Sequence, residues 1–163
     1  MTNLYKFNIR RAEIDDIPTI MEIMQEAFAK YCVLAKIEPA KITVTGETAN
    51  DIANDIETKD VYVAVQDNII IGSVRIEILS DNRARLSRFG VLGDYQGCGI
   101  GRTLLDTVDD SMRAKGIETL ELYTAEMYKP LVEFYRRNGF KIEKVTNNRG
   151  YARAKLVKEY DNI

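Results

Sequence analysis

The chain has 163 residues, of which 45% are hydrophobic and 29% charged, and its formal net charge is −2. This length and apolar content predict one folded domain over residues 1–163 and exclude an intrinsically disordered chain. The charge is nearly balanced and no block of Lys or Arg occurs, which argues against a nucleic-acid scaffold. No apolar run approaches the roughly 20 residues of a membrane span and the N-terminus lacks an apolar signal segment, so we expect a cytoplasmic protein.

The counts of two residue types restrict the chemistry that the protein can perform. The chain contains no histidine and two cysteines, Cys32 and Cys98. Without histidine a Ser-His-Asp triad is impossible and a zinc site would need an unusual ligand set, so we expect no metal. No histidine can act as a base for Cys98, which disfavours a thiol nucleophile. Proton transfer must therefore use Tyr, Glu, Asp, Lys, Cys or water.

The first third of the chain has the pattern of one strand followed by two helices. A strand is expected over residues 6–11. Apolar residues at three- and four-residue spacing predict an amphipathic helix over residues 15–31. Residues 36–46 are irregular, and Thr48 begins a short second helix that turns Ile52 and its apolar neighbours inward.

Three extended segments follow, at residues 61–65, 69–79 and 83–92. Apolar residues alternate along them with a period of two, as expected for strands with one buried face. Short turns at Asp67-Asn68 and at Asp81-Asn82 separate them. Strands joined by such short turns form an antiparallel meander.

A loop with glycine at alternate positions follows the third strand of this meander and leads into an amphipathic helix. The helix is expected to end at Gly116, a glycine in the position that commonly terminates helices. A strand over residues 117–123 comes next. Because the helix crosses between two strands, this strand is expected to lie parallel to the one before the loop.

The chain closes with a helix over residues 128–138 and an antiparallel strand pair at residues 140–145 and 151–157. The complete order is β-α-α-β-β-β-α-β-α-β-β. This order predicts a layered α/β domain with a mixed sheet.

The glycine loop is the segment with the clearest chemical meaning. Glycine at 97, 99 and 101 leaves backbone amides uncovered, and the helix start adds unpaired N–H donors and the positive end of a dipole. This arrangement suits a phosphate or pyrophosphate, although a tight turn without a ligand is the alternative. A Rossmann site fits worse, because its glycines follow the first strand of a βαβ unit, whereas four predicted strands precede or enter the loop in this chain. A P-loop is excluded because the Gly-Lys-Ser/Thr ending is missing.

Three segments between residues 83 and 145 share a family pattern. Gln96-Gly97-Cys98-Gly99-Ile100-Gly101 fits a (Gln/Arg)-x-x-Gly-x-(Gly/Ala) loop. Phe89-Gly90-Val91-Leu92-Gly93-Asp94-Tyr95 fits the strand and turn before it, and Glu133-Phe134-Tyr135-Arg136-Arg137-Asn138-Gly139-Phe140 fits a later helix and turn. Together they resemble the GNAT superfamily of N-acetyltransferases. The resemblance implies a mixed, mostly antiparallel sheet with helices on both faces, splayed at the strands that flank the glycine-loop helix.

The resemblance also implies acetyl-CoA as the cofactor. The amides from Gly97 to Arg102 would hold its pyrophosphate, and the pantetheine arm would lie beside the strand before the loop. Phe89 and Val91 could instead be ordinary sheet core, and Arg102 a solvated helix residue. The residues that match cofactor-binding positions are Phe89, Gly90, Val91, Gln96, Gly97, Cys98, Gly99, Ile100, Gly101 and Arg102.

Tyr135 matches the tyrosine that protonates the departing thiolate in many members of the family. A phenol with a pKa near 10 suits a thiolate leaving group with a pKa of about 8.5. An aromatic packing role is the alternative. Tyr128 stands where relatives often carry an Asn that contacts the cofactor, which leaves that contact open.

The general base has several candidates. Some family members place a glutamate on the strand after the loop helix, where this chain has Tyr123. Glu121 lies two residues earlier on the same predicted strand face, and Glu77 lies in an earlier strand. Each carboxylate is alternatively a solvated sheet residue, and a water chain is an equal candidate.

The resemblance predicts an acetyl-CoA-dependent N-acetyltransferase that moves an acetyl group to a primary amine of a small molecule or peptide by direct attack. The alternatives are a non-catalytic acyl-CoA sensor of the same fold and an interaction protein. Neither nucleic acid nor membrane is expected as a partner, and a homodimer is plausible. We expect the acceptor pocket to involve residues 28–47 and 146–151. The polar and aromatic side chains of these segments are a mixed set that does not identify a ligand: Tyr31, Lys36, Glu38, Lys41, Arg149 and Tyr151.

Overall fold

The described part of the chain, residues 7–39 and 46–161 of a computed structural model, contains the predicted order of strands and helices. The elements are β1 (Asn8–Arg11), α1 (Ile17–Ala35), α2 (Ala49–Thr58), β2 (Asp60–Gln66), β3 (Ile69–Ile78), β4 (Arg83–Val91), α3 (Ile100–Ala114), β5 (Thr119–Ala125), α4 (Lys129–Arg137), β6 (Lys141–Thr146) and β7 (Arg153–Glu159). Among these residues no helix combines the length and the apolar character that crossing a membrane requires.

All seven strands form one open sheet in the order β1-β2-β3-β4-β5-β7-β6. Every neighbouring pair is antiparallel except β4 and β5, which are parallel. The meander β2-β3-β4 and the parallel crossover through α3 are therefore confirmed.

Local hydrogen bonds set the helix boundaries. The Oγ1 atom of Thr48 accepts from the N–H of Asp51 at 3.2 Å, while the N–H of Thr48 donates to the Asp51 carboxylate at 2.9 Å. This reciprocal pair caps α2 at the predicted residue. Helix α1 runs four residues beyond the predicted end at residue 31, because Cys32 and Ala35 continue its buried face. It ends at Lys36, which adopts a left-handed backbone conformation with φ of +56°.

Two apolar clusters cover the two faces of the sheet. Helices α1 and α2 pack with Val63, Ile70 and Ala125 on one face. Helices α3 and α4 pack with Leu86, Leu122 and other sheet residues on the opposite face. Helices therefore lie on both faces, as the family resemblance implies.

Strands β4 and β5 separate soon after they meet. Their parallel register covers three residue pairs and ends where Arg85 faces Glu121. Beyond that point β4 stays paired with β3 and β5 with β7, so the two strands diverge. The register of β3 and β4 shifts between Ser73 and Arg75, opposite Arg88, whose φ is +52°. This bulge bends β4 away from its parallel neighbour and opens the sheet.

Candidate active site

A cavity of about 780 Å³ occupies the gap between β4 and β5. Its walls include Leu122 and Tyr135, which belong to the cluster under α3 and α4, and Tyr31, which belongs to the cluster under α1. Since these residues lie on opposite faces of the sheet, the cavity passes through it. The divergence of the two strands thus creates a cavity that is lined from both faces of the sheet.

The glycine loop lies at one end of the cavity. Gly97 and Gly99 both have φ of +83°, and a Cβ atom at either position would meet nothing within 4 Å. Backbone conformation, and not crowding, therefore requires glycine at both positions. The amide N–H groups from Gly97 to Arg102 have no hydrogen-bond acceptor among the described residues, and the first bond of α3 joins the N–H of Thr103 to the carbonyl of Gly99 at 3.0 Å. Consecutive free donors at a helix start fit the diphosphate of a nucleotide cofactor.

Gly101 is required for a different reason. A Cβ atom there would lie 3.1 Å from Cζ of Phe89 and 3.2 Å from Cζ of Phe134, closer than ordinary contact. Glycine at this position lets α3 approach the aromatic cluster of β4 and α4. On the other side of the loop, the side-chain amide of Gln96 donates to the carbonyl of Val91 at 3.1 Å, which ties the loop to the end of β4.

Most of the residues predicted to bind the cofactor lie together on the cavity wall. Cys98 and Ile100 do not line the cavity, since Ile100 points into the core beneath α3. Their predicted contribution comes from backbone amides and does not need their side chains. The predicted residues that line the cavity are Phe89, Gly90, Val91, Gln96, Gly97, Gly99, Gly101 and Arg102.

Tyr135 lies on the cavity wall within an aromatic cluster and is 4% exposed. Its ring centroid is 5.9 Å from that of Phe89 and 5.6 Å from those of Phe134 and Phe140. Within the described residues, its hydroxyl has no hydrogen-bond partner. Burial, with smaller contributions from Tyr31 and Tyr128, raises the pKa of Tyr135 well above its usual value of 10. The phenol is therefore protonated and available as a donor at neutral pH.

The predicted base candidates Glu121 and Glu77 do not line the cavity. The carboxylate of Glu121 accepts hydrogen bonds from Arg83 at 2.9 Å and from Arg85 at 3.1 and 3.2 Å. Burial alone would raise the pKa of Glu121, but the two arginines outweigh it and lower that pKa. Glu121 is thus a fixed anion that holds Arg85. Tyr123, two residues further on, does line the cavity.

The wall farthest from the glycine loop is cationic and aromatic. Arg85, Arg149 and Arg153 line it together with Tyr123 and Tyr151. The guanidinium of Arg153 lies 4.6 Å from the ring centroid of Tyr123, and that of Arg85 lies 5.9 Å from it. The same tyrosine ring therefore orients two arginines.

A buried ion-pair network joins β3 and β4 to α2 and to the segment before it. Arg75 is fully buried and forms two hydrogen bonds to Glu47, at 2.7 and 2.8 Å, and one to Asp55 at 2.9 Å. Arg88 donates to the same Glu47 carboxylate at 3.0 Å. Burial would raise the pKa of Glu47, but hydrogen bonds from Arg75 and then Arg88 outweigh it and lower that pKa. The network fixes β3 and β4 beneath α2.

The sequence did not single out Arg85, Arg88 or Arg153, which line the cavity. The only local signal was the two-residue spacing of Arg83 and Arg85 on a predicted strand, which puts both on one face. The predicted segments 28–47 and 146–151 do contribute, through the lining residues Phe28, Tyr31, Arg149 and Tyr151. Lys36 and Glu38 do not line the cavity, and Lys41 lies outside the described residues.

Comparison with known sequences gives one family and two instructive relatives. The family model described as an acetyltransferase (GNAT) domain matches residues 57–142. A spermidine N(1)-acetyltransferase from Thermoplasma acidophilum is 28% identical over 143 residues, which cover 83% of this chain and 88% of that protein. A mycothiol acetyltransferase from Propionibacterium freudenreichii subsp. shermanii is 28% identical over 154 residues, which cover 91% of this chain. The chain spans about half of that protein, 46% of its length.

Solved structures share the fold. The PaiA N-acetyltransferase from Thermoplasma acidophilum, in complex with coenzyme A, superposes with a TM-score of 0.85 at 24% identity, covering 95% of this chain and 99% of that one. The ribosomal-protein-S18-alanine N-acetyltransferase from Escherichia coli superposes with a TM-score of 0.76 at 20% identity, covering 94% of each chain. The splayed seven-stranded sheet is therefore an arrangement that this chain shares with known acetyltransferases.

Proposed function

The chain belongs to the GNAT acetyltransferase family, and on that basis we propose that it is an acetyl-CoA-dependent N-acetyltransferase acting on a primary amine. The observation that carries the proposal is the row of free amide N–H groups from Gly97 to Arg102 at the edge of the cavity. A single domain over residues 1–163, a cytoplasmic location and a homodimer stay predictions from the sequence.

The glycine loop would hold the diphosphate of the cofactor. Its amides supply hydrogen bonds and the start of α3 supplies positive potential, while Arg102 adds a full charge on the cavity wall. The rest of the cofactor would run along β4, past Val91 and Phe89. There the divergence from β5 leaves one edge of β4 without a neighbouring strand, so its backbone groups are available to a ligand.

Bound acetyl-CoA would supply a thioester whose carbonyl carbon is attacked by the neutral amine, with the C–N bond forming and the C–S bond breaking to release a thiolate. The backbone N–H groups near Val91 would polarise the carbonyl oxygen. Tyr135 would donate its hydroxyl proton to the departing sulfur. The desolvation that raises the pKa of Tyr135 also raises that of a thiolate in the same pocket, which preserves the match between donor and acceptor.

The proton of the acceptor ammonium would leave to water. All 25 Asp and Glu residues of the chain lie within the described residues, and none of their side chains lines the cavity. The arginines on the far wall provide a positive potential that lowers the pKa of a bound ammonium. This field favours the neutral, nucleophilic amine without a dedicated carboxylate base.

An assay of free thiol release from acetyl-CoA across a panel of primary amines tests the proposal, with mass spectrometry to identify the acetylated product. We expect thiol and N-acetyl product to form in equal amounts with at least one amine. Tight binding of acetyl-CoA without turnover across the panel would instead identify a non-catalytic sensor. Absence of binding would contradict the assignment of the glycine loop.

A further inference from the structure

The charged side chains that line the cavity are all cationic. Six arginines line the cavity and no Asp or Glu of the described residues does. Arg102 belongs to the glycine-loop end, since it follows Gly101 directly. Arg85, Arg149 and Arg153 belong to the far wall, which is formed by β4, β7 and the segment before β7. Here this wall is called the arginine wall.

The arginine wall is only partly neutralised. Arg85 forms its ion pair with Glu121 at 3.1 Å. Arg149 and Arg153 form no ion pair with any carboxylate of the described residues, which include every Asp and Glu of the chain. The Nε atom of Arg153 is moreover buried without a hydrogen-bond partner in that part of the chain. A buried N–H donor without an acceptor is costly, so the half-buried Arg153 side chain is suited to receive an anion.

The arginine wall is remote from the loop that would hold the diphosphate. Val91 lies six residues after Arg85 on β4, at most about 20 Å away at about 3.3 Å per residue of extended strand. Arg153 lies on β7, on the other side of the gap between β4 and β5, where it is paired with Ala125 of β5. One cofactor diphosphate cannot neutralise both the glycine loop and this wall.

We propose that the acetyl acceptor is an amine that also carries an oxyanion group, a carboxylate or a phosphate, which Arg153 and Arg149 bind. This inference rests on the proposed function. A guanidinium held on a tyrosine face presents its N–H fork to an oxyanion in a fixed orientation. Tyr31, Tyr123 and Tyr151 line the space beside it and suit an apolar body that joins the oxyanion to the amine.

The same wall disfavours a polyamine. A polyamine carries further ammonium groups, and these would meet the uncompensated charges of Arg149 and Arg153. The acceptor proposed for this chain therefore differs from the spermidine that names the Thermoplasma relative. The difference lies in side chains of the far wall, whereas the loop at the cofactor end is a family feature.

Matched pairs of amines test the proposal. We would measure kcat/KM with acetyl-CoA for phenylalanine against phenethylamine, for phosphoethanolamine against ethanolamine, and for spermidine. The oxyanion-bearing member of at least one pair is expected to exceed its partner, and spermidine, by at least about 30-fold. The pair that shows the preference distinguishes carboxylate from phosphate. Equal or higher kcat/KM for the partners that lack an oxyanion, or for spermidine, overturns the proposal.

Arg153→Gln separates acceptor binding from cofactor binding. We expect kcat/KM for the preferred oxyanion acceptor to fall by about 100-fold, while kcat/KM for its partner amine falls by less than about tenfold, because that amine loses only the positive potential of Arg153. Arg153→Lys keeps the charge and should recover part of the loss. The matched control is Arg136→Gln, an exposed arginine of α4 that pairs with Glu133 at 3.8 Å and does not line the cavity. The control should change neither value.

Calorimetry of coenzyme A binding to the same variants keeps the two proposals distinguishable. Arg153→Gln should leave the Kd of coenzyme A within about twofold of the wild type, and a large weakening would show that Arg153 serves the cofactor, which overturns the inference. Acetyl-CoA turnover that is confined to amines without an oxyanion overturns only the inference. Failure of the wild-type protein to bind coenzyme A removes the proposed function, and the inference falls with it.

Discussion

The two ends of the cavity are built by different means. At the glycine-loop end, consecutive residues from Gly97 to Arg102 present backbone amides, and the loop conformation alone creates the donors. At the arginine wall, side chains from separate parts of the chain are brought together by sheet pairing, with Arg85 held by Glu121 and Arg153 held against the ring of Tyr123. The difference teaches that backbone geometry alone can form the proposed diphosphate site, whereas the proposed choice of acceptor depends on particular side chains.

The largest effect is expected at the boundary between the two ends, where Tyr135 lies. Tyr135→Phe keeps the ring within its aromatic cluster and removes only the hydroxyl, which has no partner among the described residues. We predict that kcat falls by about 10²- to 10³-fold while the Kd of acetyl-CoA changes less than about twofold. Steady-state kinetics and calorimetry provide the two values.

Tyr160→Phe is the matched control for this change. Tyr160 is also buried, but its hydroxyl donates to Asp109 at 2.7 Å and it does not line the cavity. Its loss should cost about 1 kcal/mol of stability and leave kcat unchanged. An unchanged kcat in Tyr135→Phe would remove the phenol from the mechanism.

A buried ion-pair network centred on Arg75 joins β3 and β4 to α2 and the segment before it. Arg75→Met leaves Glu47 and Asp55 with only part of their positive partners, Arg88 and Lys59. We predict a loss of about 3 kcal/mol in the free energy of unfolding, measured by urea denaturation.

Arg113→Met provides the comparison, because Arg113 is exposed near the end of α3 and its ion pair with Asp110 spans 4.0 Å. Its free energy of unfolding should stay within about 0.5 kcal/mol of the wild type. Similar losses in both variants would contradict the special role of the buried network.

A substitution within the glycine loop can change the conformation of that loop while leaving the side chains of the arginine wall unchanged. Gly99→Val forces a β-branched residue into a left-handed conformation with φ of +83°. We predict that the affinity for coenzyme A, measured by calorimetry, falls about 10- to 100-fold because the loop must rearrange.

Gly116→Val carries similar backbone strain, with φ of +71° and open space around it, at the end of α3 outside the cavity. It should lose stability but bind coenzyme A normally. Equal weakening in both variants would assign the effect to strain in general and not to the loop amides.

The two ends also differed in how far the sequence predicted them. The glycine loop and the start of α3 depend on residues within one local segment, so spacing and helix periodicity sufficed. Thr48 was likewise found as a helix start, because its capping partner lies three residues away. By contrast, Glu121 was assigned to the correct strand face, but its capture by Arg83 and Arg85 depends on the parallel register of two strands.

Arg153 is a second residue whose contacts depend on pairing between strands that are distant in the sequence. Its position beside Tyr123 requires the pairing of β5 with β7, and no local pattern around residue 153 encodes that pairing. The strand predicted over residues 117–123 also lies two residues later, at Thr119–Ala125, because the N–H of Ile117 first bonds to the carbonyl of Met112 and closes α3. Long-range pairing therefore decided the features that the sequence did not reveal.

The smallest expected effect is the change in stability of Glu121→Gln and its dependence on acidic pH. The pKa of Glu121 is lowered in the fold, so its contribution to stability is present above its usual pKa of 4.5 and is lost as the pH falls through the lowered value. We predict that Glu121→Gln is about 1 kcal/mol less stable than the wild type at pH 7. The difference in the free energy of unfolding between the two proteins should become smaller when urea denaturation is repeated at successively lower pH below 4.5. A gap that is constant with pH would show that the carboxylate charge contributes nothing.

A crystal structure of the protein with acetyl-CoA tests the central assignment most directly. We predict diphosphate oxygens within about 3 Å of several amide nitrogens between Gly97 and Arg102, with the thioester near Tyr135 and the arginine wall left for the acceptor. A diphosphate bound to the arginine wall, with the loop amides facing solvent, would contradict the account.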